Sequence, residues 1–191
     1  HNQPEQDSRA IDTQSVGKNE SEYYQSLMNM SYAGLVKHLL RKYGPCRYDY
    51  FVNKECTVKN KGVSRSAEGL FVHHIDEDKA IMLSDPRHAA MNPFEYQKAS
   101  RLVYCNFLEH LLLHVLIAKE PRNDEANPGE MPGIGGAVNL ICHQVNDFYT
   151  GYVFKQPYLI KATSLVKNDY KSYVMMLSKL WKIIQANAIY R

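Results

Sequence analysis

The chain has 191 residues, 45% of them hydrophobic and 23% charged, which is ordinary globular composition with enough length to bury one core. No apolar run approaches the roughly 18 residues that span a bilayer, and the four cysteines, Cys46, Cys56, Cys105 and Cys142, form neither a Cys-x-x-Cys pair nor a dense disulfide framework. The formal net charge of +3 is uneven: Lys37 to Arg65 and Lys155 to Arg191 are strongly basic, while Ser66 to Glu130 is acidic on balance. Two basic flanks around a less basic middle suit a polyanion, although solvated surface explains them equally well. With reduced thiols and no legible signal peptide, a cytoplasmic protein is expected; a Cys46–Cys56 disulfide is the alternative for that pair.

Residues 1–20 are polar with almost no large apolar side chains, so a disordered or loosely docked tail is expected there, followed by a single domain over 21–191. A helix is predicted from near Ser31 to Tyr43, with Leu35, Leu39 and Leu40 as its stripe and Gly44-Pro45 as its stop. Arg47 to Val58 reads as strand or hairpin, and Lys59 to Arg65 as a basic loop. Gly69 to Ile75 has the composition of a strand. The long connection from Asp76 to Ser100 needs a regular element of its own, placed at about Asn92 to Ala99. A second strand over Leu102 to Cys105 leads into a helix from Asn106 to about Lys119, opened by an Asn106/Glu109 capping box. Pro121 to Gly136 reads as loop, with Gly133 to Gly136 as a flexible turn. Ala137 to Tyr149 reads as helix. From Lys161 to Ile184 the spacing of Val166, Tyr170, Tyr173, Leu177, Leu180, Trp181 and Ile184 predicts one long amphipathic helix. The fold class is therefore α+β, mainly helical, with a helical C-terminal part over 137–191.

Four histidines carry the chemistry. His110 and His114 stand at i and i+4 on a helix that is apolar almost all round, so both imidazoles share one buried stripe and need polar partners. A metal ion supplies such a partner. His73 and His74 are neighbours on a strand and point to opposite faces, so one can turn to a metal while the other is held off it.

The order strand with His73-His74, second strand, helix with His110 and His114 resembles the HNH, or His-Me finger (ββα-metal), endonucleases over Gly69 to Ile117. The resemblance implies a core at about 69–119 in which His73, His110 and His114 bind one divalent metal and His74 is the general base. It also implies a DNA substrate whose phosphodiester bonds are hydrolysed to 5′-phosphate and 3′-hydroxyl ends. Three imidazoles suit Zn, Ni, Co or Mn, while the family's working ion is often Mg or Mn.

The chain departs from the family in carrying Arg101 where the second strand normally opens with an Asn that braces the loop beside the base. Arg101 is read either as that brace or as a phosphate contact at the catalytic site. Asp76-Glu77-Asp78 reads as an exposed acidic turn, with a carboxylate orienting His74 as the alternative. Lys167, Lys171 and Lys182 on the last helix are candidate phosphate contacts, and His38, His88 and His143 have no ligand spacing. Two other readings stay open: a non-catalytic DNA-binding module with a structural metal, and a non-specific DNA-degrading toxin. A dimer is compatible with all three.

Overall fold

In the computed structural model, residues 22–120 and 132–186 are described, so the expected N-terminal tail and most of the 121–136 loop lie outside the described residues. Among the described residues the fold is mainly helical with one two-stranded antiparallel sheet. A helix over residues 22–28 (α1), which the sequence did not announce, precedes α2 (Tyr32–Tyr43). Ser31 caps α2 by accepting from Gly34 N, and Gly44 ends it at φ 78°, a conformation glycine adopts without strain.

The sheet pairs β1 (Phe71–His74) with β2 (Leu102–Cys105), His73 opposite Val103 and His74 opposite Leu102. Period-two alternation then splits the molecule into two layers. Val103 and Cys105 face the main helical core, whereas Leu102 and Tyr104 face a smaller core of Cys46, Tyr50, Phe51, Cys56, Val63 and Leu70. That smaller core replaces the strand or hairpin expected at Arg47 to Val58. Only a single bridge, Phe51 to Lys59, forms there, because Asn53 binds Thr57 N and Val58 N through its side chain and Cys56 takes a positive φ. All four cysteines are free.

After β2 comes α4 (Phe107–Lys119), which begins with the predicted capping box and is buried on nearly every face. It is the central helix, packed by α2, by both strands and by the C-terminal helices. Between the strands lies α3 (Pro86–Ala90), capped by Asp85, and the segment expected to be helical at Asn92 to Ala99 is instead a 3₁₀ turn, Phe94–Gln97. Downstream, α5 (Ile134–Gly136) runs through a π-helical turn, Ala137–Ile141, into α6 (Cys142–Tyr149).

The single long C-terminal helix is corrected to two, α7 (Pro157–Ser164) and α8 (Tyr170–Ala186). Thr163 and Ser164 turn their hydroxyls back onto the carbonyls of Leu159 and Lys161, and Asp169 O accepts Tyr173 N to open the next helix. The buried stripe of α8 is Tyr173, Met176 and Leu180, while Tyr170 and Trp181 are exposed. Among the described residues no helix is long and apolar enough to cross a membrane.

Candidate metal centre

The sheet's alternation sends the two adjacent histidines to different layers. His73 meets the α4 histidines, with ring centroids 5.5 Å from His110 and 5.2 Å from His114. His74 points into the loop-built layer, under the ring of Tyr50 at 4.5 Å. Directly after β1 a 3₁₀ turn, Ile75–Asp78, swings Glu77 back beneath the strand end. One oxygen of Glu77 then lies 3.3 Å from His73 Nδ1 and 3.2 Å from His114 Nε2. The ligand atoms of His73, Glu77, His110 and His114 all lie within 4.8 Å of one another.

The three expected ligands thus converge, and Glu77 joins them. The expectation of an exposed acidic turn at Asp76-Glu77-Asp78 is wrong because the tight 3₁₀ turn directs successive carboxylates to different sides. Asp76 is 1% exposed and is gripped through both oxygens by Arg101, at 2.7 and 2.6 Å, with Lys79 at 2.7 Å. Burial alone would raise the Asp76 carboxyl, but Arg101 and Lys79 hold it below its ordinary value. Arg101 therefore braces the turn that carries Glu77. The only trace of Glu77 in the sequence is an acid four residues past His73.

Protonation states follow from the hydrogen bonds. The Tyr32 hydroxyl donates to Ile75 O at 2.7 Å, so it accepts from His73 Nε2 at 2.9 Å. That assignment places a proton on Nε2, so Nδ1 of a neutral His73 presents a lone pair to Glu77 and Nδ1 of a charged His73 donates to it. Burial disfavours charged imidazole and lowers the pKa of His73 and, more strongly, of His110. Burial alone would raise Glu77, but the neighbouring His73 and His114 hold it well below the usual carboxylate range. A carboxylate oxygen and an imidazole nitrogen 3.3 Å apart are held together by a proton or a cation between them.

Two further facts fit a cation. Nδ1 of His73 and of His114 is buried with no hydrogen-bond partner, whereas buried polar atoms are normally satisfied. Neutral imidazoles with an ionised carboxylate are also the donor set that a Zn, Mn, Co or Ni ion takes up. The residues present therefore fit a divalent metal. His114 is held from the far side by Gly136, where a Cβ would lie 2.5 Å from its Cε1, and Gly133 packs equally closely on the His114 carbonyl. The glycine segment is thus a packed cradle rather than the flexible turn expected of it.

His74 is fully buried. Gln97 donates to Leu83 O at 3.1 Å, which orients its amide so that Oε1 accepts from His74 Nε2 at 2.8 Å. The remaining nitrogen, Nδ1, has no hydrogen-bond partner and lies 3.9 Å from the other oxygen of Glu77. His110 also lines an open recess of about 250 Å³ together with Lys59, Ser64, Arg65, Ser66 and Tyr158. Lys167, Lys171 and Lys182 are exposed but line neither this recess nor its neighbour. His38 bonds Tyr23, His88 bonds Asp85, and His143 is exposed. Comparison of the chain with protein-family models, curated proteins and solved structures returned no match.

Proposed function

We propose that the chain is a metal-dependent endonuclease of the ββα-metal kind, hydrolysing phosphodiester bonds in DNA. One observation carries the reading: adjacent histidines on one strand face different surroundings, His73 beside Glu77, His110 and His114, and His74 in the other layer with its Nδ1 3.9 Å from Glu77. The four residues His73, Glu77, His110 and His114 would hold a divalent cation, which would supply positive charge to the phosphate and its departing oxygen. His74, with Nε2–H committed to Gln97, would accept a proton from water at Nδ1. Burial keeps this imidazole below its ordinary pKa and therefore neutral near pH 7. Arg101 acts indirectly, by fixing Asp76 and with it the turn that presents Glu77.

The test is incubation of supercoiled plasmid with the protein and a panel of Mg, Mn, Zn, Ni and Co. Metal-dependent nicking or linearisation is expected. His74→Ala should lower the rate by about 10²–10⁴-fold while metal content stays unchanged. Cutting by that variant at the wild-type rate would remove His74 from the role.

A second reading has its own support. With Glu77 the centre offers four protein donors, and four protein ligands are the rule for structural zinc. A non-catalytic DNA-binding module would bind metal and gain stability from it, yet leave the plasmid intact with every ion.

A further inference from the structure

The recess beside His110 does not end at Arg65. Arg65 also lines a second, larger recess of about 480 Å³ whose other walls include Tyr43, Arg47, Tyr48, Gly62 and Tyr104. Among the described residues the lining holds three tyrosines and two arginines and no acidic residue. Its volume falls in the range of small-ligand pockets. Arg65 lies 4.7 Å over the Tyr104 ring and donates to Tyr43 O, so its guanidinium is fixed in place, with Glu68 pairing it from outside the recess. Tyr48 is 51% exposed. Its ring rests on Gly62, where a Cβ would come within 3.0 Å of Cδ2 and Cε2. Glycine at that position therefore lets an aromatic ring be braced from one side while half its surface faces solvent.

We propose that this recess takes an unpaired base of a nucleic-acid strand whose phosphates run past Arg47, Arg65 and Lys59 towards His110. The proposal rests on the nuclease reading and deepens it by naming the substrate class: single-stranded or locally unpaired nucleic acid. A duplex keeps its base faces stacked inside and offers only edges and backbone. A concave site walled by aromatic rings has nothing to stack on unless the base is splayed out. Arg47 and Lys59 complement the phosphates on either side of that base, while Arg65, held in a bidentate pair by Glu68, shapes the wall between the recesses. Tyr48, exposed and braced, is the ring placed for stacking, while Tyr104 is buried and bonded to Val63 O, which makes it the wall.

The test is fluorescence anisotropy in chelator, so that cutting plays no part, using a short labelled DNA strand, its duplex, the RNA strand of the same sequence and a strand with abasic positions. Single strands should bind more tightly than the duplex, and abasic positions should weaken them. DNA and RNA strands both offer base and phosphate, and their two arms identify which is preferred. Tyr48→Ala should weaken single-strand binding by roughly tenfold, the scale of a single base–aromatic stack, whereas Tyr48→Phe should retain it. Equal or tighter binding of the duplex, or an unchanged Tyr48→Ala, would overturn the proposal. Plasmid cleavage by a protein without single-strand preference would strike the recess and spare the nuclease reading. Strand preference in a protein that fails to cut with every metal would support the recess and strike the nuclease reading.

Discussion

Helix α4 carries two polar sites in the same apolar core, and they are completed in opposite ways. Glu109, fully buried, is answered entirely by the protein: the phenols of Tyr23 and Tyr43, the ammonium of Lys42 and the backbone N–H of Asn106 all donate to it. Burial first, and then the Glu109 charge, keep both phenols protonated and able to donate. One residue further on, at His110 and a turn later at His114, the facing groups are His73 and the Glu77 carboxylate. Nδ1 of His73 lies 3.3 Å from that carboxylate, and buried Nδ1 atoms on His73 and His114 have no hydrogen-bond partner. A network whose donors and acceptors balance is a brace. One with a carboxylate, three imidazoles and unpartnered buried nitrogens suits a cation, and that difference separates structure from candidate function on a single helix.

The largest stability effect is expected on the balanced side. Glu109→Leu leaves the Tyr23 and Tyr43 phenols and the Asn106 N–H without their acceptor, while Lys42 turns to solvent, and should cost about 3 kcal/mol, since each buried donor left unsatisfied costs about 1–3 kcal/mol. Melting should show this drop equally with and without added metal, because the two sites share no side chain. A metal-dependent difference would break that separation. Gly136→Ala should have an intermediate effect. Its Cβ would meet the His114 ring at 2.5 Å, and such overpacking typically costs about 1–3 kcal/mol. Unlike Glu109→Leu, it should also weaken metal binding, which equilibrium titration reads directly.

The smallest effect belongs to the surface. Neutralising Lys167, Lys171 and Lys182 together should leave melting unchanged and alter only DNA affinity and its salt dependence. The slope would fall by about 0.9 for each phosphate no longer neutralised. An unchanged slope would mean that these exposed lysines are solvated and touch no phosphate, in keeping with their absence from the walls of the two recesses.

Much of this arrangement was legible in advance wherever local rules and tertiary packing agree. The α4 start was readable because Asn106 and Glu109 satisfy each other within one turn. The His110/His114 stripe was readable because helical spacing alone stacks i with i+4, and the two faces of β1 followed from the pleat. Glu77 was not legible: its position depends on a short 3₁₀ turn whose geometry is fixed by the distant Arg101 on Asp76. Nor was the break between α7 and α8 legible, since apolar spacing continues across it while Thr163 and Ser164 end the first helix through their own hydroxyls. Tyr23, which answers Glu109, lies on the unforeseen helix α1, in a stretch too short to declare a period.

The central claim is that the His73–Glu77–His110–His114 group is a divalent metal centre, and equilibrium metal titration of chelator-treated protein tests it most directly. One ion from the Mn, Co, Ni and Zn panel is expected to bind per chain. Melting should rise with occupancy, by about 2.7 kcal/mol at a hundredfold excess over Kd, and both responses should disappear in Glu77→Ala and His114→Ala. Absence of stoichiometric binding by the wild type across the panel, or full binding and stabilisation in both variants, would contradict it.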